Sequence, residues 1–453
     1  MKKVIIAALT AFILNGCGIY KPYTRPEVTT DNLFGSTIQI ADTTTAGNLH
    51  WQKVFTDTGL QRLIRTGLEN NTDLRVARLR ITQAEASLKA AKLSYFPTVS
   101  LNPQATAGSF DGSKVSPTYQ LSVGASWEAD IFGTLTNVKR QQKAALEQSE
   151  AYRQAVQTSL IADIANSYYT LLMLDRQMEI TVQTATAWEE NVRTMRALKQ
   201  AGQTHEAAVA QAEANKLSAT ASVIDLKRQI TEVEKALCVT LGETPHAITR
   251  GKIENQSLPE KLSVGIPLQL LSNRPDVMSA EASLKQAFYA VNEARSYFYP
   301  SFTLSGSVGW TNSAGTVIAN PGALLWQAFG SLTQPIFNQG KNKARLKIAK
   351  AQQEEALLVF RQTLLSAGAE VNNALTLCLS AQEKNDVYEK QIKMLESATH
   401  SIKLLMRHGS ATYLEVLTAQ QTLLQAQLLQ TANRFDEIQG IINLYRALGG
   451  GRE

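Results

Sequence analysis

The sequence contains one pattern written twice at a nearly constant offset, and this duplication constrains the fold more than any other feature. Matching residues lie 203 positions apart early in the pattern, 205 in the middle and 207 near its end. Examples are Asp73 and Asp276, Gln83 and Gln286, Pro97 and Pro300, Ile131 and Ile336, and Gly202 and Gly409. An internal repeat indicates that one structural unit is used twice. The predicted divisions are a first repeat over 60–242, a linker over 243–266, a second repeat over 267–449 and a C-terminal tail over 450–453.

Each repeat is predicted to contain a long helix, a tight turn and a returning helix. Proline, which breaks helices, is absent from 118–244 and from 336–453, and both stretches are rich in good helix formers. Gly202 and Gly409 mark the turns, because glycine readily adopts the left-handed conformation that ends a helix. The predicted helices are 138–201 and 203–242 in the first repeat, 341–408 and 411–448 in the second, and shorter ones over 73–96 and 276–299.

Two alternating segments lie between the short and the long helix of each repeat. In 119–127 every odd-numbered residue is apolar and every even-numbered one is small or polar, which predicts a β-strand. Trp127, Trp310 and Trp326 lie where the aromatic girdle of a membrane barrel would form. The predicted strands are about 98–110, 118–129, 301–312 and 322–334.

Four strands per chain cannot close a membrane barrel, because such barrels begin at about 8 strands. Two chains would supply about 8 strands, a barrel narrow enough to fill with side chains, whereas three chains would supply about 12 and leave a lumen. The predicted fold class is therefore mainly α with a membrane β-barrel that forms only when chains associate.

The N-terminus resembles a bacterial lipoprotein leader. Lys2 and Lys3 precede an apolar run, and Gly16 stands before Cys17 in the sequence Leu-Asn-Gly-Cys. Residues 1–16 are predicted to be a signal peptide, Cys17 a lipidated residue, and 17–59 a lipid-anchored segment. An ordinary leader with a chance cysteine is the alternative, since Asn15 replaces the usual small residue.

The remaining cysteines and the charge exclude several classes of protein. Cys238 and Cys378 lie in helical stretches and are interpreted as small buried hydrophobes rather than a disulfide framework. A formal net charge of +6 is too small and too dispersed for nucleic acid to be a partner.

Neither enzyme chemistry nor a cofactor is expected. The sequence contains no phosphate loop, HExxH or G-x-S-x-G motif. His400 and His408 lack a third ligand at metal-site spacing, and Met394 and Met406 do not cluster as a soft-metal route would require.

In combination, several short motifs resemble the TolC family of outer-membrane efflux channels, in its lipid-anchored multidrug-pump branch. They are Trp51–Asp57, Asn71–Leu74, Phe96-Pro97, Asp130–Gly133, Arg274–Val277, Tyr299-Pro300 and Pro335–Asn338. The resemblance covers nearly all of the chain after residue 17. It implies a homotrimer in the outer membrane, with a 12-stranded β-barrel continued by a 12-helix α-barrel that extends into the periplasm. The implied partners are a periplasmic adaptor protein and an inner-membrane transporter of the RND type, besides outer-membrane lipid.

The resemblance also implies a periplasmic gate near the helix turns. Relatives carry one acidic residue six positions after the second turn glycine and another three positions later. Glu415 occupies the first position and Thr418 the second, so one of two acidic rings is missing. Ala411 stands where some relatives have an arginine latch. Gly202 and Gly409 are the expected docking turns for the adaptor, and a solvated helix flank is the alternative interpretation of Glu415.

The expected function is therefore passive conduction of drugs or other small toxic compounds through the outer part of a tripartite pump. A duct for secreted proteins or peptides is one alternative. A periplasmic coiled-coil scaffold lipoprotein is another, but it gives no role to four alternating segments placed identically in the two repeats.

Overall fold

A computed structural model describes residues 20–27, 49–109, 111–112, 115–256, 274–311 and 323–451 of the 453-residue chain. The predicted signal peptide, Cys17 and part of the predicted linker lie outside these residues. Two short helices come first in the described chain, α1 (Trp51–Val54) and α2 (Thr58–Asn70). Among the described residues, no helix combines the length and the apolar character needed to cross a membrane.

Both repeats contain the same succession of a short helix, two strands, a long helix and a returning helix. The first has α3 (Thr72–Leu93), β1 (Thr98–Gly108), β2 (Ser116–Ala129), α4 (Thr134–Gln200) and α5 (Glu206–Leu241). The second has α6 (Pro275–Ser296), β3 (Ser301–Thr311), β4 (Ala323–Thr333), α7 (Lys341–Arg407) and α8 (Tyr413–Ala447). The predicted fold class and tandem repeat are confirmed.

Helix ends differ from the predicted ones by a few residues, for identifiable reasons. The short helices end three residues early because proline disfavours helical backbone in the residue before it, here Phe96 and Tyr299. Helix α4 begins at Thr134 rather than 138 because Asp130 supplies its cap: the carboxylate accepts hydrogen bonds from the backbone N–H groups of Leu135 and Thr136, both at 2.8 Å.

The four strands form one antiparallel sheet in the order β1-β2-β3-β4. Each repeat contributes one hairpin, with Leu101 opposite Val123 in the first and Val308 opposite Trp326 in the second. Strands β2 and β3 pair over ten positions, from Gln120 opposite Thr311 to Ala129 opposite Phe302, and so join the repeats. Strand β1 ends at Gly108, two residues before the predicted end.

The described residues fall into two compact units, and each unit draws on both repeats. One comprises the described parts of Met1–Val28, Leu79–Ala151 and Met278–Gln362, and it contains the sheet. The other comprises the described parts of Thr29–Arg78, Tyr152–Val277 and Thr363–Glu453, and it contains both helix turns. The sequence repeats and the compact units are thus different divisions of the chain.

Among the described residues, the second unit contains an extensive hydrophobic core. Tyr168 and Tyr169 of α4 are almost fully buried there, together with apolar side chains of α2, α5 and α8. Cys238 and Cys378 belong to this core as free buried thiols, which confirms their interpretation as small hydrophobes. Burial raises the pKa of the Cys378 thiol to about 11, so the thiol stays protonated at neutral pH.

Candidate functional site

The two helix turns at Gly202 and Gly409, both in the second compact unit, have the same backbone geometry. Their φ angles are 72° and 73°, in the left-handed region that glycine tolerates best. In the first turn the N–H of Gln203 donates to the carbonyl of Leu198 at 2.9 Å, and in the second the N–H of Ser410 donates to Leu405 at 2.9 Å. Glycine therefore closes both long helices in the same way.

Both turn glycines face open space within the described chain. A side-chain Cβ atom added at either position would meet no described atom within 4 Å. By contrast, Gly242, which has the same φ of 72° at the end of α5, has the Asn70 carbonyl oxygen 3.1 Å from such a Cβ. A larger residue at Gly202 or Gly409 would thus incur backbone strain but no clash with the described residues.

Ion pairs join the two helices that flank the first turn. Arg196 of α4 lies 2.6 Å from Glu213 of α5, and Lys199 pairs with Glu206. Glu213 is partly exposed and the other three side chains are exposed, so each pair contributes only about 0–1 kcal/mol. The same two helices also pack together through a small buried apolar cluster, which consists of Val192, Met195, Val209 and Ala212.

Glu415 takes part in the cap that starts α8. Its carboxylate accepts hydrogen bonds from the Thr412 backbone N–H at 2.6 Å and from the Thr412 hydroxyl at 3.1 Å. The Glu415 N–H in turn donates to the Thr412 hydroxyl at 3.4 Å, completing a capping box. The side chain is exposed yet held in place, which neither interpretation from the sequence foresaw.

Thr418 lies one turn further along α8 and is also exposed. Its hydroxyl donates to the Leu414 carbonyl at 2.9 Å, within its own helix. Residues three apart lie on the same helix face, so Glu415 and Thr418 share one exposed side of α8. Ala411 lies in the turn and carries no group that could act as a latch.

Sequence reasoning missed the residues that pack the start of α8 against α4 and α5. Leu417 packs with Trp188 and Ala219, and Tyr413 contacts the same cluster. The Asn191 side-chain amide donates to the Gln420 amide oxygen at 2.8 Å. The spacing of Tyr413, Leu417 and Gln420 puts them on one helix face, a stripe that is visible in the sequence.

Tyr413 is partly buried where α8 packs against its neighbours. The Tyr413 hydroxyl is buried without a hydrogen-bond partner in the part of the chain that the structure describes, and burial raises the pKa of its phenol. No group of three or more His, Cys, Asp or Glu side chains that could hold a metal ion is found among the described residues.

Comparison with known proteins finds relatives among outer-membrane proteins of efflux systems. A probable outer membrane lipoprotein, SilC of Salmonella typhimurium, is 28% identical over 459 residues that cover 99% of each chain. The cation efflux system protein CusC of Escherichia coli is 28% identical over 454 residues, covering 97% of this chain and 98% of its own. The toluene efflux pump outer membrane protein TtgC of Pseudomonas putida is 28% identical over 465 residues, covering 99% of this chain and 96% of its own.

The fold agrees with the sequence comparison. A solved structure of CusC, described as forming a transmembrane channel, superposes with a TM-score of 0.84 at 26% identity and covers 96% of this chain and 100% of that one. The family model for outer membrane efflux proteins matches 63–243 and 266–450. The resemblance to the TolC family is thereby confirmed. Since the two matched segments span most of its length, the chain belongs to the outer membrane efflux protein family.

Proposed function

We propose that three copies of this chain form the outer-membrane exit duct of a tripartite efflux pump. The observation that carries the proposal is the four-stranded antiparallel sheet, whose outer strands are β1 and β4. A sheet edge presents unpaired backbone groups, which the membrane interior does not tolerate. Pairing β4 of one copy with β1 of the next removes every edge and, with three copies, gives about 12 strands around a lumen.

The helices of the same three copies would line the path through the periplasm. Each chain contributes two long helices and two pairs of shorter ones, which yields the 12 helical columns implied by the family resemblance. Substrate passes through this duct without chemical change, so the protein works as a conduit rather than as an enzyme.

The partners of the duct are a periplasmic adaptor protein and an inner-membrane transporter of the RND type. The docking surface for the adaptor is the pair of turns at Gly202 and Gly409. Open space around both glycines supports this role, because neither turn is covered by the other described residues of its own chain.

Glu415 forms the periplasmic gate as a ring of three carboxylates, with Thr418 completing the constriction. Negative charge around a narrow axis attracts cations and repels anions. The capping box with Thr412 supports the assignment, because it holds each carboxylate in a defined position on an exposed helix face.

Cys17 carries the lipid that tethers each chain to outer-membrane lipid. The leader sequence supports this modification, as does the name of SilC, an outer membrane lipoprotein. The sheet and the lipid then hold the protein in the membrane independently.

The exported compounds are drugs or other small toxic molecules. Relatives of equal identity are named for cation efflux and for toluene efflux, so identity alone does not select the substrate. A duct for secreted proteins or peptides is the alternative within the same architecture.

Electron microscopy of detergent-solubilised particles, combined with bilayer conductance, tests the proposal. We expect threefold particles that carry single-channel currents. Protein that stays soluble and monomeric without detergent would contradict the channel and favour a periplasmic scaffold. Deletion of the gene followed by a panel of toxicity assays would then identify the exported class.

A further inference from the structure

The two long helices that leave the sheet begin with unusually cationic segments, which we call the basic collar: the first ten residues of α4 and the first ten of α7. The α7 segment contains Lys341, Lys343, Arg345, Lys347 and Lys350, all exposed. Neither segment contains Asp or Glu. Both belong to the compact unit that contains the sheet.

The α4 segment repeats this chemistry on a smaller scale. It contains Lys139, Arg140 and Lys143. One carboxylate, Asp130, lies just before the helix, and it caps the backbone by accepting from Leu135 and Thr136. None of the eight basic residues has an ion pair within 4.0 Å among the described side chains.

This placement opposes the local rules of helix stability. The start of a helix carries partial positive charge, which favours acidic rather than basic side chains. The other described helices of more than 20 residues follow that rule with an acid in the first turn: Asp73, Glu206, Asp276 and Glu415. Like charges four residues apart, such as Lys343 and Lys347, also repel one another. The repulsion recurs in α4 between Lys139 and Lys143, whereas the conflict at the helix start is confined to α7, because Asp130 caps α4. A repulsion repeated in both halves of the chain points to a function outside the isolated chain.

Aromatic side chains accompany the collar in both repeats. The Lys139 ammonium lies 4.9 Å from the ring centroid of Tyr95, and the Arg345 guanidinium lies 4.0 Å from that of Tyr297. In each case a cation of the long helix covers a tyrosine at the end of the short helix. Tyrosine and basic residues together are typical of the membrane–water interface.

Exposed apolar residues separate the collar from the strands. Ile336 and Phe337, between β4 and α7, are 98% and 85% exposed, and Ile131, between β2 and α4, is 46% exposed. Along the chain, the order is therefore strand, exposed apolar residues, then cations. The same order describes a path from the membrane interior through the acyl boundary to the headgroups.

We propose that the basic collar binds the phosphate groups of anionic phospholipids in the membrane leaflet that faces the periplasm. The proposal rests on the proposed function, because it requires the sheet to lie in the membrane. Lys343, Lys347 and Lys350 form one stripe on α7, about 10 Å long at about 1.5 Å per residue. A headgroup layer is about 5–8 Å thick, so the stripe reaches across it. Charge complementarity favours anionic lipid over a second copy of the collar, which would bring more cations together.

The test uses the full-length protein in vesicles and the quenching of tryptophan fluorescence by brominated lipid. Trp127, Trp310 and Trp326 lie on the strands and report the lipids around the sheet. Competition between brominated phosphatidylglycerol and phosphatidylethanolamine measures the preference for anionic lipid. The variant is Lys343→Gln with Lys347→Gln and Lys350→Gln. Its matched control, with the same change of charge more than 30 residues further along α7, is Lys384→Gln with Lys390→Gln and Lys403→Gln.

We expect the wild type to prefer the anionic lipid. The collar variant should show a preference at least about fivefold weaker, since each cation near an anionic surface contributes about fivefold to the affinity. The preference should also shrink in high salt. An unchanged preference in the collar variant, or an equal loss in the control, would overturn the proposal. If the triple variant does not assemble, Lys347→Gln alone replaces it, with Lys390→Gln as its control.

Currents recorded from the same vesicles separate this proposal from the proposed function. Vesicles that conduct but show no preference for anionic lipid would contradict only lipid binding by the basic collar. A wild-type protein that never conducts would contradict the proposed channel function. Loss of threefold assembly in the variant with an unchanged lipid preference would assign the stripe to contacts between copies and overturn lipid binding.

Discussion

At the scale of single residues, Glu415 combines a structural and an electrostatic role in one carboxylate. It caps α8 through Thr412, and it supplies the charge of the proposed gate. A substitution that removes the charge and one that removes the cap are therefore different experiments. The two residues to be substituted, Glu415 for the charge and Thr412 for the cap, lie three positions apart.

Glu415→Gln is expected to lower the cation preference of the channel with little loss of stability. Glutamine still accepts the hydrogen bonds of a capping box. At a separation of about 10 Å, a carboxylate attracts a monovalent cation by roughly 0.4 kcal/mol in water, so removal of three such charges lowers cation enrichment severalfold before screening. Reversal potentials across a salt gradient measure the change.

Thr412→Ala is the matched control for Glu415→Gln. It removes the capping hydroxyl, which costs about 1 kcal/mol, while the Glu415 charge remains. We expect a lower melting temperature with a nearly unchanged reversal potential. Equal effects of the two variants on ion selectivity would remove Glu415 from the gate.

At the scale of elements, the pairing of β2 with β3 depends on the absence of a side chain at Gly309. Gly309 lies opposite Ser122, and a Cβ there would approach the Leu121 carbonyl oxygen and come within 2.6 Å of the Ser122 Cα. Both are backbone atoms, which cannot move without disturbing the strand pairing.

Gly309→Ala is therefore expected to destabilise the assembled protein by about 1–3 kcal/mol, as overpacking usually does. Gly108→Ala is the control on the same sheet, because a Cβ there meets no described atom within 4 Å. Thermal dissociation followed on denaturing gels compares the two. An equal dissociation temperature in both variants would contradict the close approach of β2 and β3.

Gly409→Phe is expected to impair pump function more than folding. The left-handed backbone costs a non-glycine residue about 1–2 kcal/mol, and a Cβ at this position crowds no atom of the described residues. Gly409→Asn is the control, since asparagine tolerates the same backbone with a smaller side chain. Drug resistance and the protein level in the membrane are measured together. Full resistance with Phe at this position would refute adaptor docking at the turn.

The elements themselves were largely predictable from the sequence, because proline and glycine mark their limits. Pro97 and Pro300 begin the strand regions, and Gly202 and Gly409 end the long helices. The capping box was also visible, as Thr412 three residues before Glu415. The contact between Asn191 and Gln420 was not, because the partners are 229 positions apart and no local rule connects them.

The basic collar was hidden by averaging. A net charge of +6 is small when it is spread over the whole chain, yet the first ten residues of α7 contain five basic residues and no acid. The cluster points to a membrane surface only because these residues follow directly after the sheet, which the sequence alone does not show. Bulk charge therefore misled the interpretation of where the positive charge lies.

At the scale of the whole molecule, two independent attachments to the membrane are proposed. Cys17→Ala is expected to abolish incorporation of labelled fatty acid while the protein still fractionates with the outer membrane. The sheet alone provides this retention, because a closed barrel is stable in lipid without an acyl anchor. Recovery of the variant in the soluble periplasmic fraction would contradict a membrane-embedded sheet.

The pairing of β2 with β3 also bears on how quickly a ring could assemble. It is a contact between two copies of one repeat, of the same kind as the proposed contact between β4 and the β1 of a neighbouring chain. Joining the repeats in one polypeptide makes every second seam intramolecular, where the effective concentration of the partner strand is on the order of millimolar. A ring of six repeats then has three seams between molecules rather than six, so it forms from two successive encounters rather than five. Duplication thus shortens the interval during which unpaired strand edges are open to aggregation.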